Sequence, residues 1–306
     1  MPGRPDETAV MQEGPWTHRT VDANGSRFHV VEAGAGPLVL LLHGFPEFWW
    51  TWRHQIAPLA DAGHRVVAVD LRGYGASDKP PRGYDGFTLS ADVAALVRSL
   101  GERDAALVGH DWGGYLAWVT AAFHPRMVRQ LAVLGMSHPL RLRAALLSDP
   151  AQIRASRYIG AFQTPRFEHH VTRDDAAYVG GLLRRWSGPE WPTSADFAEY
   201  ERACRAAIRI PQASFCAMEY YRWSVRSVTR PSGWKFHKLL TAPIAAPVLQ
   251  LHGALDSCLL PSTVAGSERH VSGPYESRLL PGVGHFPQSE APETVTGELL
   301  RWLKES

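Results

Sequence analysis

Glycines surround one carboxylate in the first half of this chain. The sequence GHDWGG occupies positions 109–114 and follows a short apolar run at 105–108. Glycines spaced in this way are typical of a sharp strand-to-helix turn that presents a nucleophile, usually a serine. Asp111 stands in the nucleophile position here. A carboxylate readily displaces a leaving group from an sp³ carbon and forms an ester that water must then cleave. Asp111 therefore predicts attack on an alkyl carbon rather than on an acyl carbon.

A second interpretation of Asp111 is structural. An aspartate just before a helix often serves as its N-cap, where the side chain accepts a hydrogen bond from a free backbone N–H group. The two interpretations differ in whether other chemical groups accompany the carboxylate. The rest of the chain therefore decides between them.

Two residues near the end of the chain could complete a catalytic triad. His285 lies in the loop PGVGHFP at 281–287, after the last predicted strand, and Asp256 follows the strand before it. The chain order nucleophile, acid, histidine is known for triads at strand ends of an α/β sheet. Asp256 would orient the imidazole of His285 and stabilise its charged form. The structural alternatives are an ordinary loop histidine and a turn-forming aspartate.

The sequence HGFPE at 43–47 follows another predicted strand. The backbone N–H of Phe45, together with that of Trp112, could form an oxyanion hole. Pro46 would fix the loop, and the bond between Phe45 and Pro46 is a candidate cis peptide. Glu47 is either a carboxylate that orients water from behind the reacting groups or a surface residue. An ordinary turn would contain similar residues.

Tyr158 and Tyr221 are candidate acids. A phenol is a neutral donor at pH 7 and can hydrogen-bond a developing alkoxide. Packing within a helical region is the alternative role for both tyrosines. Sequence spacing alone does not bring the two side chains together.

Alternating strands and helices would position these residues. The Asn24-Gly25 pair predicts a hairpin turn, and the Leu/Val run at 38–42 predicts a strand buried on both faces. Ser90 is a candidate N-cap for a helix that ends at Leu100. The predicted strands lie at 18–22, 27–32, 38–42, 65–69, 105–108 and 127–134, and the predicted helices at 52–62, 90–100 and 113–124. This alternation predicts a parallel sheet with both faces covered.

The alternation stops near residue 137. From 139 to about 234 the chain is helical, aromatic and rich in arginine; strands resume at 246–251 and 276–280, before a last helix at 292–304. The predicted fold class is therefore α/β, a mostly parallel sheet flanked by helices, with an inserted helical cap. The predicted divisions are a mobile N-terminal tail at 1–14, a core made of 15–138 and 236–306, and a cap at 139–235.

Composition argues against several classes of protein. The chain has 306 residues and a formal net charge of +2, so a nucleic acid or other polyanionic partner is not indicated. The first residues lack the apolar core of a signal peptide, and the run at 38–42 is too short to span a bilayer. These features predict a cytoplasmic protein with no integral membrane segment. The cysteines, Cys204, Cys216 and Cys258, lack metal-ligand spacing and are interpreted as reduced thiols.

Taken together, these segments resemble the epoxide hydrolases of the α/β-hydrolase fold, and the likeness runs from about Trp16 to the C-terminus. The segments that carry it are HGFPE at 43–47, DLRGYGASD at 70–78, GHDWGG at 109–114 and GHF at 284–286. The resemblance implies the following roles: Asp111 as nucleophile, His285 as base, Asp256 as the partner of that base, and the backbone N–H groups of Phe45 and Trp112 as oxyanion donors.

The resemblance also implies a pair of cap tyrosines. They fall on Tyr158, four residues before FQTP at 162–165, and on Tyr221. Family members often carry Asn and an aromatic residue before the second tyrosine, whereas this chain has Glu219 and Tyr220, so Tyr220 remains a rival for the role. The implied reaction opens a small apolar epoxide at carbon, forms an alkyl ester, and hydrolyses that ester with activated water to a vicinal diol. The resemblance implies no metal and no cofactor.

Two other functions stay open. Haloalkane dehalogenases share the aspartate, the following tryptophan and the base, but they hold a halide with indole N–H groups and often carry Asn where this chain has Phe45. Fluoroacetate-type dehalogenases are a weaker match, because they place Arg where this chain has Trp112. A non-catalytic ligand-binding protein on the same fold is the remaining alternative, and it would tolerate loss of the Asp111 carboxylate.

Overall fold

One mixed sheet runs through the centre of the computed structural model, which describes residues 5–304. Within that range the strands are Thr17–Ala23 (β1), Ser26–Ala33 (β2), Leu38–Leu42 (β3), Arg65–Val69 (β4), Ala105–His110 (β5), Val128–Leu134 (β6), Val248–Gly253 (β7) and Tyr275–Leu280 (β8). They pair in the order β1-β2-β4-β3-β5-β6-β7-β8. The pairs β1–β2 and β2–β4 are antiparallel and the others are parallel. The predicted α/β class with a mostly parallel sheet is confirmed.

Local sequence explains the first three strands. Asn24 and Gly25 adopt φ values of 46° and 72°, and positive φ at both turn residues suits a two-residue hairpin between antiparallel strands. Strand β3 contains only Leu and Val, and all five of its residues are buried. Burial of a whole strand is expected where a parallel sheet is covered on both faces. The predicted hairpin and the predicted buried strand are both confirmed.

Helices connect the strands. Those outside the β6–β7 connection are α1 (Arg53–Asp61), α2 (Gly86–Ser99), α3 (Trp112–Phe123), α11 (Pro287–Glu290) and α12 (Pro292–Lys304). Those within it are α4 (Pro139–Ser148), α5 (Pro150–Ala155), α6 (Arg157–Ala161), α7 (Phe167–Trp186), α8 (Ala195–Ile208), α9 (Ala213–Ser227) and α10 (Pro231–Leu239). Helix α10 extends across the predicted cap limit between residues 235 and 236, and the predicted domain limits stay predictions.

The start of α2 differs from its prediction. Asp85 is the N-cap, because its Oδ1 accepts hydrogen bonds from the backbone N–H groups of Phe87 and Thr88 at 3.1 and 3.0 Å. Ser90 lies inside the helix, and its hydroxyl donates to the carbonyl of Phe87. The Phe87 ring packs edge-on against Phe236 of α10, with centroids 5.3 Å apart. This tertiary contact stabilises an extra first turn that helix periodicity did not predict.

Part of the predicted mobile tail is packed against the rest of the protein. Residues Glu7–Val10 form a 3₁₀ turn, and Val10 is fully buried. The indole N–H of Trp49 donates to the carbonyl oxygen of Val10 at 2.8 Å. The expected mobility is therefore corrected for this stretch, because burial of Val10 and the hydrogen bond anchor it. Residues 1–4 of the predicted tail lie outside the described residues.

A search of the helices in residues 5–304 finds none that is both long and apolar enough to cross a membrane. The predicted cytoplasmic location stays a prediction.

Candidate active site

Asp111 stands at the tight turn between β5 and α3. Its backbone has φ 48° and ψ −116°, a sparsely populated conformation that costs a non-glycine residue about 1–3 kcal/mol. A Cβ added at Gly109 would overlap the carbonyl oxygen of Gly113, and one added at Gly113 would overlap that of Leu42. The turn therefore requires both glycines. It holds Asp111 at the carboxyl end of β5, where open α/β sheets place their sites.

The carboxylate of Asp111 does not cap α3. The residue occupies the N-cap position, but its side chain accepts no capping hydrogen bond. Its Oδ1 instead accepts a hydrogen bond of 2.9 Å from the backbone N–H of Phe45. The bond between Phe45 and Pro46 is cis, as predicted. The N-cap interpretation is therefore wrong, and the first predicted oxyanion donor lies in contact with the carboxylate.

The second predicted donor follows Asp111 in the chain. Trp112 is the first residue of α3. The N–H groups in the first turn of a helix have no acceptor inside that helix. The backbone N–H of Trp112 is thus available beside the Asp111 carboxylate.

His285 and Asp256 meet Asp111 at this edge of the sheet. The Nδ1–H of His285 donates to Oδ2 of Asp256 at 2.8 Å, and its Nε2 lies 3.5 Å from Oδ2 of Asp111. The backbone N–H groups of Cys258 and Leu259 donate to Oδ1 of Asp256 at 2.8 and 2.9 Å. All three triad side chains are buried. The structure thus brings together the three residues that the sequence proposed.

The charges in this cluster hold a proton on His285. Burial works to lower the pKa of His285, but the charge of Asp256 and the hydrogen bonds to Asp111 and Asp256 outweigh it and raise that pKa well above the ordinary 6.5. Burial likewise works to raise the pKa of Asp256, but His285 outweighs it and lowers that pKa below 3.8. The resting cluster is therefore an imidazolium between two carboxylates. Loss of the negative charge on Asp111 would weaken the hold on that proton.

Tyr158 on α6 and Tyr221 on α9 line the cavity that contains Asp111. Their ring centroids are 5.9 Å apart. Burial raises the pKa of both hydroxyls well above 10.0, and the nearby charge of Asp111 raises both further. Both tyrosines are therefore neutral hydrogen-bond donors that share a cavity with the carboxylate.

Tyr220 has a different environment from its neighbour Tyr221. Its hydroxyl donates to the backbone carbonyl of Arg72 at 2.8 Å, and its ring packs against Tyr74 and Tyr84. Tyr220 is fully buried and is absent from the described lining of the cavity. Of the two adjacent tyrosines, Tyr221 is the one that faces the cavity.

The cavity has a volume of about 250 Å³ and mainly apolar walls. Its apolar lining includes Trp112, Tyr115, Met136, Leu142, Leu146, Ile159 and Leu259. Asp111 lies at its buried end, whereas Leu147, Val225 and Val228 are lining residues exposed to solvent. Such a cavity suits a small apolar molecule whose reactive end reaches Asp111.

Glu47 is buried, so the interpretation as a surface carboxylate is wrong. Its Oε2 accepts a hydrogen bond of 2.6 Å from Nδ1–H of His110. Its Oε1 accepts hydrogen bonds from the Thr51 hydroxyl at 2.7 Å and the Gln288 amide at 3.1 Å. The Tyr200 hydroxyl of α8 also donates to Oε1. Glu47 therefore ties several distant segments together behind the triad.

His110 connects Glu47 to His285. Its Nε2 lies 2.7 Å from the backbone carbonyl oxygen of His285. Both partners of the ring, the Glu47 carboxylate and the His285 carbonyl, are hydrogen-bond acceptors. Sequence reasoning missed this residue, although its position at the end of a strand, directly before Asp111, was an available signal.

Cys258 is a second residue whose contact the sequence did not reveal. Its Sγ lies 3.4 Å from the hydroxyl oxygen of Tyr158. Burial raises the pKa of the thiol to about 12, so the thiol is neutral. All three cysteines are free and buried, as the interpretation of reduced thiols predicts. The available signal for Cys258 was its position two residues after Asp256.

Known proteins resemble this chain in sequence and in fold. Residues 37–292 match the family described as alpha/beta hydrolase fold. The chain is 41% identical over 288 residues to epoxide hydrolase 4 of Homo sapiens, covering 92% of this chain and 77% of that protein. It is 34% identical over 292 residues to epoxide hydrolase 3 of Xenopus tropicalis, covering 92% of this chain and 76% of that protein. A crystal structure of a Bacillus megaterium epoxide hydrolase in complex with an inhibitor superimposes with a TM-score of 0.80 and 26% identity, covering 94% of this chain and 100% of that chain.

Proposed function

This chain belongs to the epoxide hydrolases of the α/β hydrolase fold, and we propose that it converts an apolar epoxide to a vicinal diol through a covalent ester on Asp111. The arrangement of that carboxylate carries the proposal. Its Oδ1 accepts the Phe45 N–H at 2.9 Å, and its Oδ2 lies 3.5 Å from His285 at the end of a cavity with two neutral tyrosines. Family membership favours this reaction over dehalogenation and over binding without catalysis.

In the first step, Oδ2 of Asp111 attacks an epoxide carbon. The bond between that carbon and the ring oxygen breaks, and its electron pair stays on the oxygen. Tyr158 and Tyr221 hydrogen-bond this alkoxide and one of them donates a proton to it. The imidazolium of His285 then returns a proton to the tyrosinate and becomes neutral. Ester formation favours this transfer, because it removes the carboxylate of Asp111 that helps to hold the proton on His285.

In the second step, the neutral Nε2 of His285 accepts a proton from water, and the water oxygen attacks the ester carbonyl carbon. Asp256 keeps the imidazole oriented and stabilises its positive charge. Negative charge develops on Oδ1 of Asp111, where the N–H groups of Phe45 and Trp112 stabilise it. Collapse breaks the bond between the carbonyl carbon and Oδ2. The leaving alkoxide takes a proton from the His285 imidazolium, and the diol departs with that oxygen. Asp111 keeps the oxygen of water, and its new carboxyl group returns a proton to His285, which restores the resting imidazolium and carboxylate.

Glu47 acts through His110 and does not touch the substrate. The hydrogen bonds from Glu47 to His110, and from His110 to the carbonyl of His285, support the loop that carries the base. We therefore assign Glu47 and His110 as positioning residues for the second step. A rigid support of this kind limits the movement of a catalytic group away from its productive geometry.

Replacement of the base tests the proposal. In His285→Gln the nucleophile is retained but water is not activated, so the ester should accumulate. Intact-protein mass spectrometry with an epoxide that the wild type hydrolyses should show one added epoxide mass, and peptide analysis should locate it on Asp111.

His64→Gln is the matched control, because His64 precedes β4 at the opposite end of the sheet from Asp111. This variant should turn over the epoxide without an adduct. An unmodified His285→Gln protein under the same conditions would contradict the two-step mechanism.

A further inference from the structure

Exposed apolar side chains lie at the outer end of the active-site cavity and on helix α10, whose His237 lines that cavity. Leu147, Val225 and Val228 line the cavity and are exposed, with Leu147 71% exposed. Trp234 is 59% exposed, and its indole N–H donates to the carbonyl of Val228 at 3.0 Å. Leu239, on the same helix as Trp234, is also exposed. We refer to these five residues as the mouth patch.

The mouth patch is a local concentration of apolar surface. Nine large apolar side chains are exposed within residues 5–304, and five of them belong to this patch. Single exposed apolar side chains need no explanation, but several of them at and near the opening of one ligand cavity mark an interaction surface. An apolar partner therefore suits this end of the cavity.

Cations outnumber carboxylates in the segments that carry the mouth patch, where Asp149 follows the first segment and caps α5. Segments 139–148 and 225–239 contain six cationic residues and no Asp or Glu. The six are Arg141, Arg143, Arg226, Arg230, Lys235 and Lys238. This asymmetry is local, because the chain as a whole has a formal net charge of only +2.

Most of these cations have no carboxylate partner. Arg226 pairs with Glu219, and Arg141 donates to a backbone carbonyl. The other four cations form no ion pair with any residue in the range 5–304. Their charge is therefore free to attract an external anion.

Helix α10 arranges both kinds of residue on one face. Gly233, Phe236 and Leu240 pack inward, whereas Trp234, Lys235, Lys238 and Leu239 are exposed. An exposed face that combines tryptophan, leucine and lysine is typical of segments that lie on a bilayer surface. Tryptophan in particular favours the interface between lipid headgroups and acyl chains.

We propose that the mouth patch and its surrounding cations dock onto bilayers that contain anionic phospholipids. The apolar side chains would enter the interface, and the cations would contact the negatively charged headgroups. Apolar epoxides dissolved in the lipid would then enter the cavity directly at its exposed end. This route of entry rests on the proposed function, whereas the docking itself does not.

Vesicle sedimentation with the full chain tests the docking. The protein should bind vesicles made of phosphatidylcholine mixed with phosphatidylglycerol, bind vesicles of phosphatidylcholine alone weakly, and dissociate as salt is raised. Absence of binding to the mixed vesicles at low salt would overturn the proposal. So would equal binding to both kinds of vesicle at every salt concentration, because the cations would then have no role.

A double variant that removes apolar side chains, together with its matched control, tests whether the mouth patch is the docking surface. Trp234→Ser combined with Leu239→Ser removes two patch residues that do not line the cavity. Met11→Ser combined with Leu279→Ser removes a comparable exposed apolar surface elsewhere. The patch variant should lose at least about tenfold in vesicle partitioning, and the control should match the wild type. Equal partitioning of both variants would overturn the assignment.

A triple variant that removes three cations tests the electrostatic part of the docking. Arg230→Gln, Lys235→Gln and Lys238→Gln combined should lower partitioning onto the mixed vesicles, since each cation near an anionic surface contributes about fivefold. The control combines Arg98→Gln, Arg103→Gln and Arg126→Gln, which are exposed positions before β5 and β6 at the opposite end of the sheet. Equal losses in the two triple variants would overturn a specific docking face.

Turnover of a water-soluble epoxide without vesicles separates the two proposals. The Trp234→Ser/Leu239→Ser variant should retain this turnover while it loses its advantage with an epoxide dissolved in mixed vesicles. Failure of the wild type to hydrolyse the soluble epoxide would count against the proposed function and leave the binding result intact. A variant that keeps the wild-type rate with vesicle-borne epoxide would contradict entry from the lipid.

Discussion

Glu47 is a buried carboxylate whose charge depends on its partners. Burial works to raise its pKa, but the charge of His110 and the hydrogen bonds from His110, Tyr200 and Thr51 outweigh burial and lower the pKa from 4.5 to about 2. A carboxyl group whose pKa is lower in the folded state stabilises the fold above its unfolded pKa. That contribution is lost as the pH falls from 4.5 towards 2.

The variant Glu47→Gln should remove this part of the acid sensitivity. Between about pH 5 and pH 3 the free energy of unfolding should fall more in the wild type than in Glu47→Gln. At neutral pH the variant should be less stable, because an amide oxygen is a weaker acceptor than a carboxylate for the hydrogen bonds from His110, Tyr200 and Thr51. Urea unfolding followed by tryptophan fluorescence at each pH measures the difference.

Glu290 provides a control of opposite sign. Burial outweighs the backbone hydrogen bonds to this carboxyl group and raises its pKa above 4.5. The stabilisation that Glu290 contributes is therefore present at low pH and lost as the pH rises. On acidification, the free energy of unfolding should fall more steeply in Glu290→Gln than in the wild type. If the free energy of unfolding fell equally in the wild type and in Glu47→Gln on acidification, the lowered pKa assigned to Glu47 would be contradicted.

Sequence reasoning located residues that follow strands and missed contacts made by packing. Asp111, His285 and Asp256 were predictable because each follows a strand whose carboxyl end lies at the same edge of the sheet. The burial of Glu47 was not predictable, because one of its donors, Tyr200, lies 153 residues away in the chain. The contact between Cys258 and Tyr158 likewise joins segments 100 residues apart.

At the scale of elements, the turn between β5 and α3 is the part of the fold that presents Asp111, the proposed nucleophile. A Cβ at Gly113 would overlap the backbone carbonyl groups of Leu42, the last residue of β3, and of His43, the residue after it. Backbone atoms in a paired strand cannot move aside as a flexible side chain can. Gly113→Ala should therefore lower the free energy of unfolding by about 2–3 kcal/mol and displace Asp111.

Gly297 in α12 is the matched control, because a Cβ there would meet no atom within 4 Å. Gly297→Ala should raise the free energy of unfolding by about 0.5–1 kcal/mol, since alanine loses less backbone entropy in a helix than glycine. Chemical denaturation and epoxide turnover should be measured for both variants. A Gly113→Ala protein with wild-type stability and activity would contradict the requirement for glycine in the turn.

Most elements were predictable because their sequences show strong periodicity. Features with only weak local signals were not. The strand at 65–69 and the helix at 292–304 have the bounds that the sequence predicted. The first turn of α2 was missed because it depends on Phe87 packing against Phe236, from a helix far along the chain. The facing of Tyr158 and Tyr221 also required the structure, since helix packing in the insertion sets which side chains meet.

At the scale of the whole molecule, the inserted helices are attached to the sheet beside the triad. Arg53 of α1 pairs with Asp196 of α8 at 2.7 Å, and Tyr200 of α8 donates to Glu47. The backbone N–H of His285 donates to the carbonyl of Trp186, the last residue of α7, at 2.8 Å. The insertion therefore carries Tyr158 and Tyr221 and also holds the loop that carries His285.

The sheet and the inserted helices each contribute residues to the proposed reaction. The sheet holds Asp111, Asp256 and His285, and the insertion provides the two phenols and the apolar walls of the cavity. In the proposed reaction these parts act through a covalent ester on Asp111. Direct attack of water on the epoxide would instead need Asp111 only as a charged neighbour.

A single turnover in ¹⁸O-water, with enzyme in excess over epoxide, distinguishes the two routes most directly. The ester route predicts a first diol without the label, because its new oxygen comes from Oδ2 of Asp111, and it predicts ¹⁸O in the Asp111 carboxylate by peptide mass spectrometry. A first diol that carries ¹⁸O, with an unlabelled Asp111, would contradict the ester.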